Sequence, residues 1–241
     1  MLDKLILISY NKLLHGIHKH TMIIGFVGLI SSGKDTCADI LVSEGGYKRV
    51  SFATTLKDAV AAVFGWDREM LEGNSEESRV WREQVDEWWA EKLGMPKLTP
   101  RWVLQYWGTD VLRKGFHDDI WIASLENRLL QMKQDAVISD VRFPNEVKMI
   151  KRLRGKVYRI KRGPEPKWWE DALRQNEHNK EALVSKNMVL TDKMKEQWPD
   201  VHQSEYAWVG EKVDDTIEND GTLDELHQAV RNQVLGLPAS K

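Results

Sequence analysis

A short segment rich in glycine and hydroxyl side chains constrains this chain more than any other feature. It reads Gly-Leu-Ile-Ser-Ser-Gly-Lys-Asp-Thr over residues 28–36 and directly follows an apolar run over residues 22–27. The β-branched content of that run predicts a buried strand, and a helix is predicted over about 33–42. A strand, a glycine-bearing loop and a helix in this order provide the context of a phosphate-binding loop.

The residue types in this segment explain why it would bind phosphate. Gly28 and Gly33 permit backbone angles that a side chain would forbid, so successive N–H groups can point inward as an anion nest. The next helix adds the positive end of its dipole, and Lys34 adds a mobile charge. We therefore predict nucleotide-phosphate contacts from Gly28, Ser31, Ser32, Gly33, Lys34, Asp35 and Thr36.

One position departs from the general pattern, which has Ser or Thr directly after the lysine. Here that residue is Asp35, and Thr36 comes next. A hydroxyl at the start of the helix can hold Mg²⁺ directly or through water, so the metal role is assigned to Thr36. The alternative is a glycine turn with a solvated lysine.

The rest of the chain alternates strand and helix patterns, which favours an α/β fold with a parallel sheet and crossover helices. Residues 22–241 are predicted to form one domain, with a helical region at about 65–120. Residues 163–203 are polar and interrupted by prolines, and are interpreted as a helical lid or insertion. Further strands are predicted at 47–52, 136–139 and 156–160, and helices at 55–64, 78–93, 100–112, 118–132, 145–153 and 222–234.

Composition and charge exclude several classes of protein. The 35 basic and 37 acidic residues give a net charge of −2, so no global basic field favours a nucleic-acid partner. One cysteine rules out an internal disulfide and fits a reducing compartment. The longest apolar run, residues 22–30, is shorter than the ~20 residues of a membrane span. We expect an intracellular, soluble protein. Residues 1–21 resemble an upstream extension, because Met22 stands at the head of the first strand.

Arg79 and Arg82 are three residues apart on a predicted helix and therefore share a face. Paired guanidiniums suit a dianionic phosphate because they bind it in a fork geometry. The alternative is a solvated helix whose arginines pair with Glu76 or Glu83.

After the arginine pair, a glycine inside a helical pattern is the second sign of a ligand-binding pocket. Gly108 costs about 1 kcal/mol relative to alanine, so its presence requires a reason such as close approach of a ligand. Gln105, Thr109 and Arg113 are spaced at i, i+4 and i+8 and would line one edge. The alternative is a helix break with Trp107 packed in the core.

The third sign is an apolar strand that ends at Asp140, as in the second acidic site of phosphate-loop enzymes, where a carboxylate supports Mg²⁺. Ligands bind at the carboxyl ends of parallel strands, so Asp140 and Arg142 are expected on the same side as Lys34. The alternative for Asp140 is a cap of the next helix.

Together these stretches resemble the phage-type deoxynucleoside monophosphate kinases, over about residues 22–235. The most specific are Gly-Thr-Asp at 108–110 and Asp-Val-Arg-Phe-Pro-Asn-Glu at 140–146. The other matching positions are 28–36, 52–53, 56–58, 79, 81–83, 99–101, 104–105, 113, 121, 139, 202, 204–205 and 217–226. The roles of His202, Ser204 and Glu205 do not follow from the residues.

The resemblance implies a P-loop kinase fold, the cofactors ATP and Mg²⁺, and transfer of a phosphoryl group to a deoxynucleoside monophosphate for dNTP supply in phage DNA synthesis. It also implies the host cytoplasm and permits a homodimer. Lys34, Arg82 and Arg142 would be catalytic, and Thr36 and Asp140 would hold the metal. The substrate residues would be Lys57, Arg79, Arg82, Gln105, Gly108, Thr109, Arg113, Trp121, Asp140, Arg142 and Glu146.

Two alternatives remain open at this point. The first is a kinase of another small acceptor, such as dephospho-coenzyme A or a phosphorylated alcohol. The second is a nucleotide-dependent switch or DNA-packaging partner that binds ATP without an acceptor. Release of ADP that depends on an acceptor separates the two classes.

Overall fold

The computed structural model describes residues 21–185 and 189–237. The predicted extension at 1–21 lies outside the described residues except for Thr21. The chain divides into two compact units, one of them Ser51–Arg128 and the other built from the segments before and after it. In the described part of the chain, no helix is long and apolar enough to cross a membrane. The assignment of residues 22–241 to one domain stays a prediction.

The unit outside Ser51–Arg128 contains a parallel five-stranded sheet in the order β2-β3-β1-β4-β5. All four pairings are parallel, and Gly25 of β1 pairs with Ile138 of β3 and Val157 of β4. The predicted α/β class is confirmed. The strands are β1 Ile23–Val27, β2 Lys48–Val50, β3 Ala136–Ile138, β4 Lys156–Lys161 and β5 Asp215–Glu218.

Strand β5 is missing from the sequence prediction. Only Ile217 of its four residues is buried, so the strand has neither an apolar run nor a clear alternation. It is held by its pairing with β4, from Tyr158–Asp215 to Lys161–Glu218. Such pairing is a long-range contact that a local pattern cannot show.

Three helices of this unit accompany the sheet: α1 Lys34–Gly45, α8 Pro144–Arg152 and α12 Leu223–Val230. Helix α1 buries Cys37, Ala38 and Leu41 in a core that also contains Phe26 of β1. Burial raises the pKa of the Cys37 thiol to about 12, so this cysteine is an inert core residue. The helix predicted over 222–234 begins with a Thr222–Glu225 capping box, and it continues as a π-helix at Arg231–Leu235.

The segment after β4 forms helices α9 Trp169–Ser185, α10 Lys193–Gln197 and α11 Gln203–Tyr206. Its helices are joined by side chains from α9. Gln175 accepts a bond from the Met194 backbone N–H at 2.7 Å, and Asn176 donates to the carbonyl oxygens of Tyr206 and Val209 at 2.8 and 2.9 Å. The lid role predicted for residues 163–203 stays a prediction.

The Ser51–Arg128 unit is helical, as expected for residues 65–120, and its core is aromatic. Phe64 stacks on Trp66 with ring centroids 4.4 Å apart and meets Trp89 and Trp107 edge-on. The helices are α2 Thr54–Phe64, α3 Arg68–Glu72, α4 Glu76–Glu83, α5 Glu87–Leu93, α6 Pro100–Gln105, a π-helix at Tyr106–Lys114, and α7 Ile120–Gln131.

Two helix predictions in this unit are wrong in detail. The single helix predicted over 78–93 is two helices, because Asp86 caps α5. Its Oδ1 accepts from the Trp89 backbone N–H at 3.0 Å, while Oδ2 accepts from the Trp66 indole at 2.7 Å. The helix predicted over 100–112 is α-helical only to Gln105 and continues as the π-helix. A capping aspartate inside an apolar pattern is easily missed.

Candidate functional site

The predicted phosphate loop connects β1 to α1, and its two glycines occupy positions that a side chain would disturb. Gly28 has φ 151° and Gly33 has φ 102°. A Cβ on Gly28 would collide with the Ile160 carbonyl oxygen, and one on Gly33 with Nδ2 of Asn219. That same Nδ2 donates to the Ser32 carbonyl oxygen at 2.8 Å. The loop is therefore held closely from the β5 side by Asn219.

We expect Gly33→Ala to destabilise the protein by at least about 2 kcal/mol. The alanine would be strained at this φ and would displace Asn219 from Ser32. Gly46→Ala is the matched control. Gly46 also has a positive φ, but a Cβ at this position would have no neighbouring atom within 4 Å. It should cost only the strain, about 1 kcal/mol. Urea unfolding measures both, and equal losses would contradict the contact with Asn219.

Lys34 begins α1 and is the buried cation of the loop, with 8% of its surface exposed. Its Nζ donates to the carbonyl oxygens of Gly28 at 2.9 Å and Leu29 at 2.7 Å. Burial, and next the positive charge of Arg142, lower the pKa of Lys34 to about 8. The carboxylates of Glu205 and Asp35 oppose that shift. An anion at the loop would relieve the poorly compensated lysine charge.

The start of α1 also contacts the end of β3. Ser139 follows β3, and its hydroxyl donates to Oδ1 of Asp35 at 2.7 Å. Thr36 is half-buried in the first turn of α1, while Ser31 is exposed and Ser32 is buried. Asp140 follows Ser139 and is half-buried. The predicted metal pair thus offers a hydroxyl and a carboxylate, which are oxygen donors of the kind Mg²⁺ prefers.

No group of three or more His, Cys, Asp or Glu side chains that could hold a metal occurs among the described residues. A site of the type predicted here uses one or two protein oxygens and completes its coordination with phosphate oxygens and water. The donor set of Thr36 and Asp140 therefore fits the predicted ion.

Two predicted substrate residues lie just after Asp140. Glu146 is 4% exposed, and its Oε2 accepts from the backbone N–H groups of Arg142 at 2.7 Å and Phe143 at 3.1 Å. This capping arrangement fixes the backbone of Arg142 just before α8. Substrate contact by Glu146 stays a prediction, and the structure shows that its carboxylate is engaged with the backbone.

Glu205 is a residue whose role the sequence did not reveal. It lies in α11, and its carboxylate accepts from Nη1 of Arg142 at 2.6 Å and from the Ile30 backbone N–H at 3.1 Å. Arg142 and Glu205 are thereby brought to the phosphate loop. The signal in the sequence was the family match at Glu205, and its partners are too distant along the chain to be inferred locally.

In the Ser51–Arg128 unit, Arg82 lies over Gly73, close enough that a Cβ there would collide with its guanidinium. It reaches the carbonyl oxygens of Leu71 and Glu72 only at 3.5 and 3.4 Å, and its buried Nε has no hydrogen-bond partner among the described residues. Burial, and next the charge of Arg101, lower the pKa of Arg82. This is an arginine whose charge is incompletely compensated.

Around Arg82, the salt bridges expected if α4 were simply a solvated helix are only partly present. Arg79 donates to the Gly73 carbonyl oxygen at 3.1 Å and lies 4.0 Å from Glu76. Arg101 pairs with Glu83 at 2.8 Å. Lys57, another predicted substrate residue, pairs with Glu72 at 2.5 Å.

Gly108 lies in the π-helix, a rare element that often occurs at functional sites. The helix is not broken there. The glycine is buried, and a Cβ would press on Cδ2 of Leu56 at 2.9 Å. Trp121 Nε1 donates to the Gly108 carbonyl oxygen at 2.9 Å. Helix packing thus gives one physical reason for the glycine, and ligand approach stays a prediction.

The other predicted residues of this stretch are placed as follows. Arg113 pairs with Asp118 at 3.1 Å, and its side chain is 13% exposed. Thr109 is half-buried and Gln105 is exposed. The α-helical spacing of Gln105, Thr109 and Arg113 predicts that they lie on one edge of a pocket. The π-helix that begins at Tyr106 turns by a different angle per residue, so this spacing no longer defines one face.

The comparisons with known proteins decide the family. No family model matches the chain. A protein of Acanthamoeba polyphaga mimivirus, provisionally named a deoxynucleotide monophosphate kinase, is 34% identical over 183 residues, covering 71% of this chain and 88% of the relative. The chain belongs to the deoxynucleotide monophosphate kinase family. The predicted family, the kinase activity class and the α/β phosphate-loop kinase fold class are confirmed.

Two further proteins, a curated relative and a solved structure, are similar to this chain over different lengths of sequence. The deoxynucleoside-5′-monophosphate kinase of Escherichia phage T5 is 42% identical over 55 residues, 22% of each chain. A solved structure, dephospho-CoA kinase from Campylobacter jejuni, is 15% identical, with a TM-score of 0.42 over 90% of this chain and 97% of that one. The last similarity is too distant to inform function.

Proposed function

We propose that this kinase transfers the γ-phosphoryl group of ATP to a deoxynucleoside 5′-monophosphate and releases ADP and the deoxynucleoside diphosphate. The observation that carries the proposal is a buried lysine in a glycine-held phosphate loop within a member of this kinase family. In such a reaction the protein chiefly positions two anions, neutralises their charge and excludes water.

The loop residues Gly28 to Thr36 would bind the ATP phosphates through backbone N–H groups. Lys34 would leave its two carbonyl partners and place its charge on the β- and γ-phosphate oxygens. Thr36 and Asp140 would hold Mg²⁺, which supplies neutralisation of the phosphate charge when it is bound. No general base is required by this proposal.

Arg79, Arg82 and Arg142 are the arginines proposed to bind the acceptor phosphate. The incomplete compensation of Arg82 supports its assignment, because a bound dianion would supply the missing acceptors. The ring of Trp121 is proposed to contact the base while its Nε1 stays bonded to Gly108. The remaining residues predicted to bind the acceptor are Lys57, Gln105, Gly108, Thr109, Arg113, Asp140 and Glu146.

The proposed activity would supply dNTP synthesis in the cytoplasm of an infected host, which is supported by two relatives of viral origin. The net charge of −2 supports a small-molecule acceptor over a nucleic-acid partner. A homodimer is consistent with the family resemblance and stays a prediction.

A coupled assay of ADP release tests the proposed function. Mg·ATP is offered with dGMP, dTMP, dCMP, dAMP or their ribose counterparts, and we expect release only when a deoxynucleotide is present. Release without any acceptor would favour the ATP-dependent switch. If folded, ATP-binding protein releases no ADP with any of these nucleotides, the result would favour a different small acceptor.

The pKa of Lys34 makes a further prediction about ATP binding. Bound phosphates favour the charged lysine, so its pKa should rise from about 8 when ATP binds. Below that pH the free protein already carries the proton, and affinity is insensitive to it. Above it, binding must take up a proton, and affinity should fall by roughly tenfold at one pH unit above the free pKa. Calorimetry in buffers of different ionisation enthalpy measures this uptake.

The Lys34→Ala variant is the control for that titration. Its residual ATP binding should lose the component of pH dependence between about pH 7 and about pH 9 that the wild type shows. Equal pH dependence in the two proteins would contradict the assignment of the proton to Lys34.

A further inference from the structure

Glu205 is the one described acidic side chain that connects the tip of the phosphate loop to Arg142. Each carboxylate oxygen has a different partner: Oε2 accepts from the Ile30 N–H at 3.1 Å, and Oε1 accepts from Arg142 Nη1 at 2.6 Å. The side chain of Glu205 is 21% exposed and that of Arg142 is 33% exposed. Partial burial makes such a charge-assisted bond stronger and more directional than a surface pair.

The backbone that carries Glu205 is fixed independently of these two bonds. The adjacent Tyr206 is 5% exposed, and its carbonyl oxygen accepts from Asn176 of α9 at 2.8 Å. His202 caps α11, with its Nδ1 accepting from the Ser204 N–H at 3.2 Å. Glu205 therefore extends from an anchored turn, and it can hold its partners in place.

The charge of Glu205 also acts on the buried lysine. Burial lowers the pKa of Lys34 most, Arg142 lowers it further and Glu205 raises it, so both charged groups lie within electrostatic range of the lysine. Without the carboxylate of Glu205, the repulsion between the guanidinium of Arg142 and the ammonium of Lys34 would be opposed less strongly. Asp35 is the other carboxylate that acts on Lys34. The bond to Glu205 uses Nη1 of Arg142, and a guanidinium has two further nitrogens that can donate to phosphate oxygens.

We propose that Glu205 is a positioning residue for phosphoryl transfer, which holds the guanidinium of Arg142 at the phosphate loop so that its other N–H groups meet the reacting phosphates. This inference rests on the proposed function. Glu205 touches neither substrate in the proposal and acts through Arg142. The opposite role is an internal anion that occupies the loop N–H and must be displaced by ATP. The two roles predict opposite effects on binding and turnover.

Glu205→Gln is the informative substitution. The glutamine keeps the length of the side chain and an oxygen for the Ile30 N–H, but it removes the negative charge that holds Arg142. We expect kcat to fall about 10- to 100-fold while the Kd of ATP, measured without acceptor, changes less than about twofold. Glu196→Gln, on the exposed face of α10, removes the same charge and should leave both constants unchanged.

The action through Arg142 is tested by a double-mutant cycle. In an Arg142→Ala background, Glu205→Gln should cause no further loss of kcat. A structural role would instead lower Tm and the active fraction, with unchanged kcat per folded molecule. Such a structural result would overturn the inference. So would a loss of kcat in the Arg142→Ala background as large as that in the wild type, and so would tighter ATP binding without loss of kcat.

Failure of the inference is distinguishable from failure of the proposed function. An active wild-type enzyme with an unaffected Glu205→Gln variant would overturn the role of Glu205 alone. Absence of transfer to any deoxynucleotide by the wild type would overturn the proposed function and, with it, this role.

Discussion

Lys34→Ala is expected to lose at least about 10³-fold in kcat with a deoxynucleotide acceptor, while the protein stays folded. A preorganised charge in a buried site stabilises the transition state strongly, and loss of one such donor typically costs about 10²–10³ in rate. The lysine is 8% exposed and would follow the transferred phosphoryl group, so we expect the upper end of that range or beyond.

The fold should tolerate this substitution because the charged form of Lys34 is not well stabilised. Burial and Arg142 lower its pKa, so removal of the charge removes an unfavourable contribution to the stability of the folded protein. The cost is the loss of bonds to the Gly28 and Leu29 carbonyl oxygens, about 1 kcal/mol each. Lys48→Ala, an exposed lysine of β2, is the control for charge alone. Wild-type turnover in Lys34→Ala would refute the phosphate site.

Arg82→Gln should raise the KM for the acceptor about 100-fold and leave the Kd of ATP unchanged. A charge-assisted contact to a phosphate contributes about 1.5–3 kcal/mol, and 1.36 kcal/mol corresponds to a factor of ten. The structure favours this residue over Arg101 and Arg113, because Arg101 is paired with Glu83 and Arg113 with Asp118.

The same variant makes a stability prediction that a purely structural arginine would not share. Burial and Arg101 lower the pKa of Arg82, so loss of the charge should leave the free energy of unfolding unchanged or raise it. Lys92→Gln, on the exposed side of α5, is a control in the same unit. A fall in stability with an unchanged KM would assign Arg82 to the fold instead of the acceptor.

The parts of the fold that could be predicted from the sequence are those whose signal is local. The strand before Gly28, the loop and α1 follow each other in one segment, so burial, glycine positions and helix start are all visible together. The apolar stripe of Ile122, Leu125, Leu129 and Met132 predicts a helix over 118–132, and α7 is found at Ile120–Gln131. The first three side chains are buried, whereas Met132 is half-buried and follows the helix.

The parts that were missed depend on contacts between distant segments. Strand β5 is defined by its pairing with β4, and its four residues show one buried side chain. Asp86 ends one helix pattern because its carboxylate serves both the Trp89 N–H and the Trp66 indole, and only the first of these is near in sequence.

The candidate site shows the same division. The loop residues and Arg142 were predicted from motifs, whereas the function of Glu205 depends on Ile30 and Arg142, which are 175 and 63 residues away. Glu146 was assigned to the acceptor by resemblance, and the structure shows its bonds to the backbone N–H groups of Arg142 and Phe143. A residue type and a position do not distinguish a ligand contact from support of a neighbouring residue.

The most direct test of the central claim follows the phosphoryl group itself. ATP labelled at the γ-position is incubated with Mg²⁺, the enzyme and each deoxynucleoside monophosphate in turn, and the products are separated by anion exchange. We predict that the label appears in at least one deoxynucleoside diphosphate and that Lys34→Ala yields none. Label found only in inorganic phosphate, or retained in ATP with every acceptor, would contradict the proposed kinase reaction.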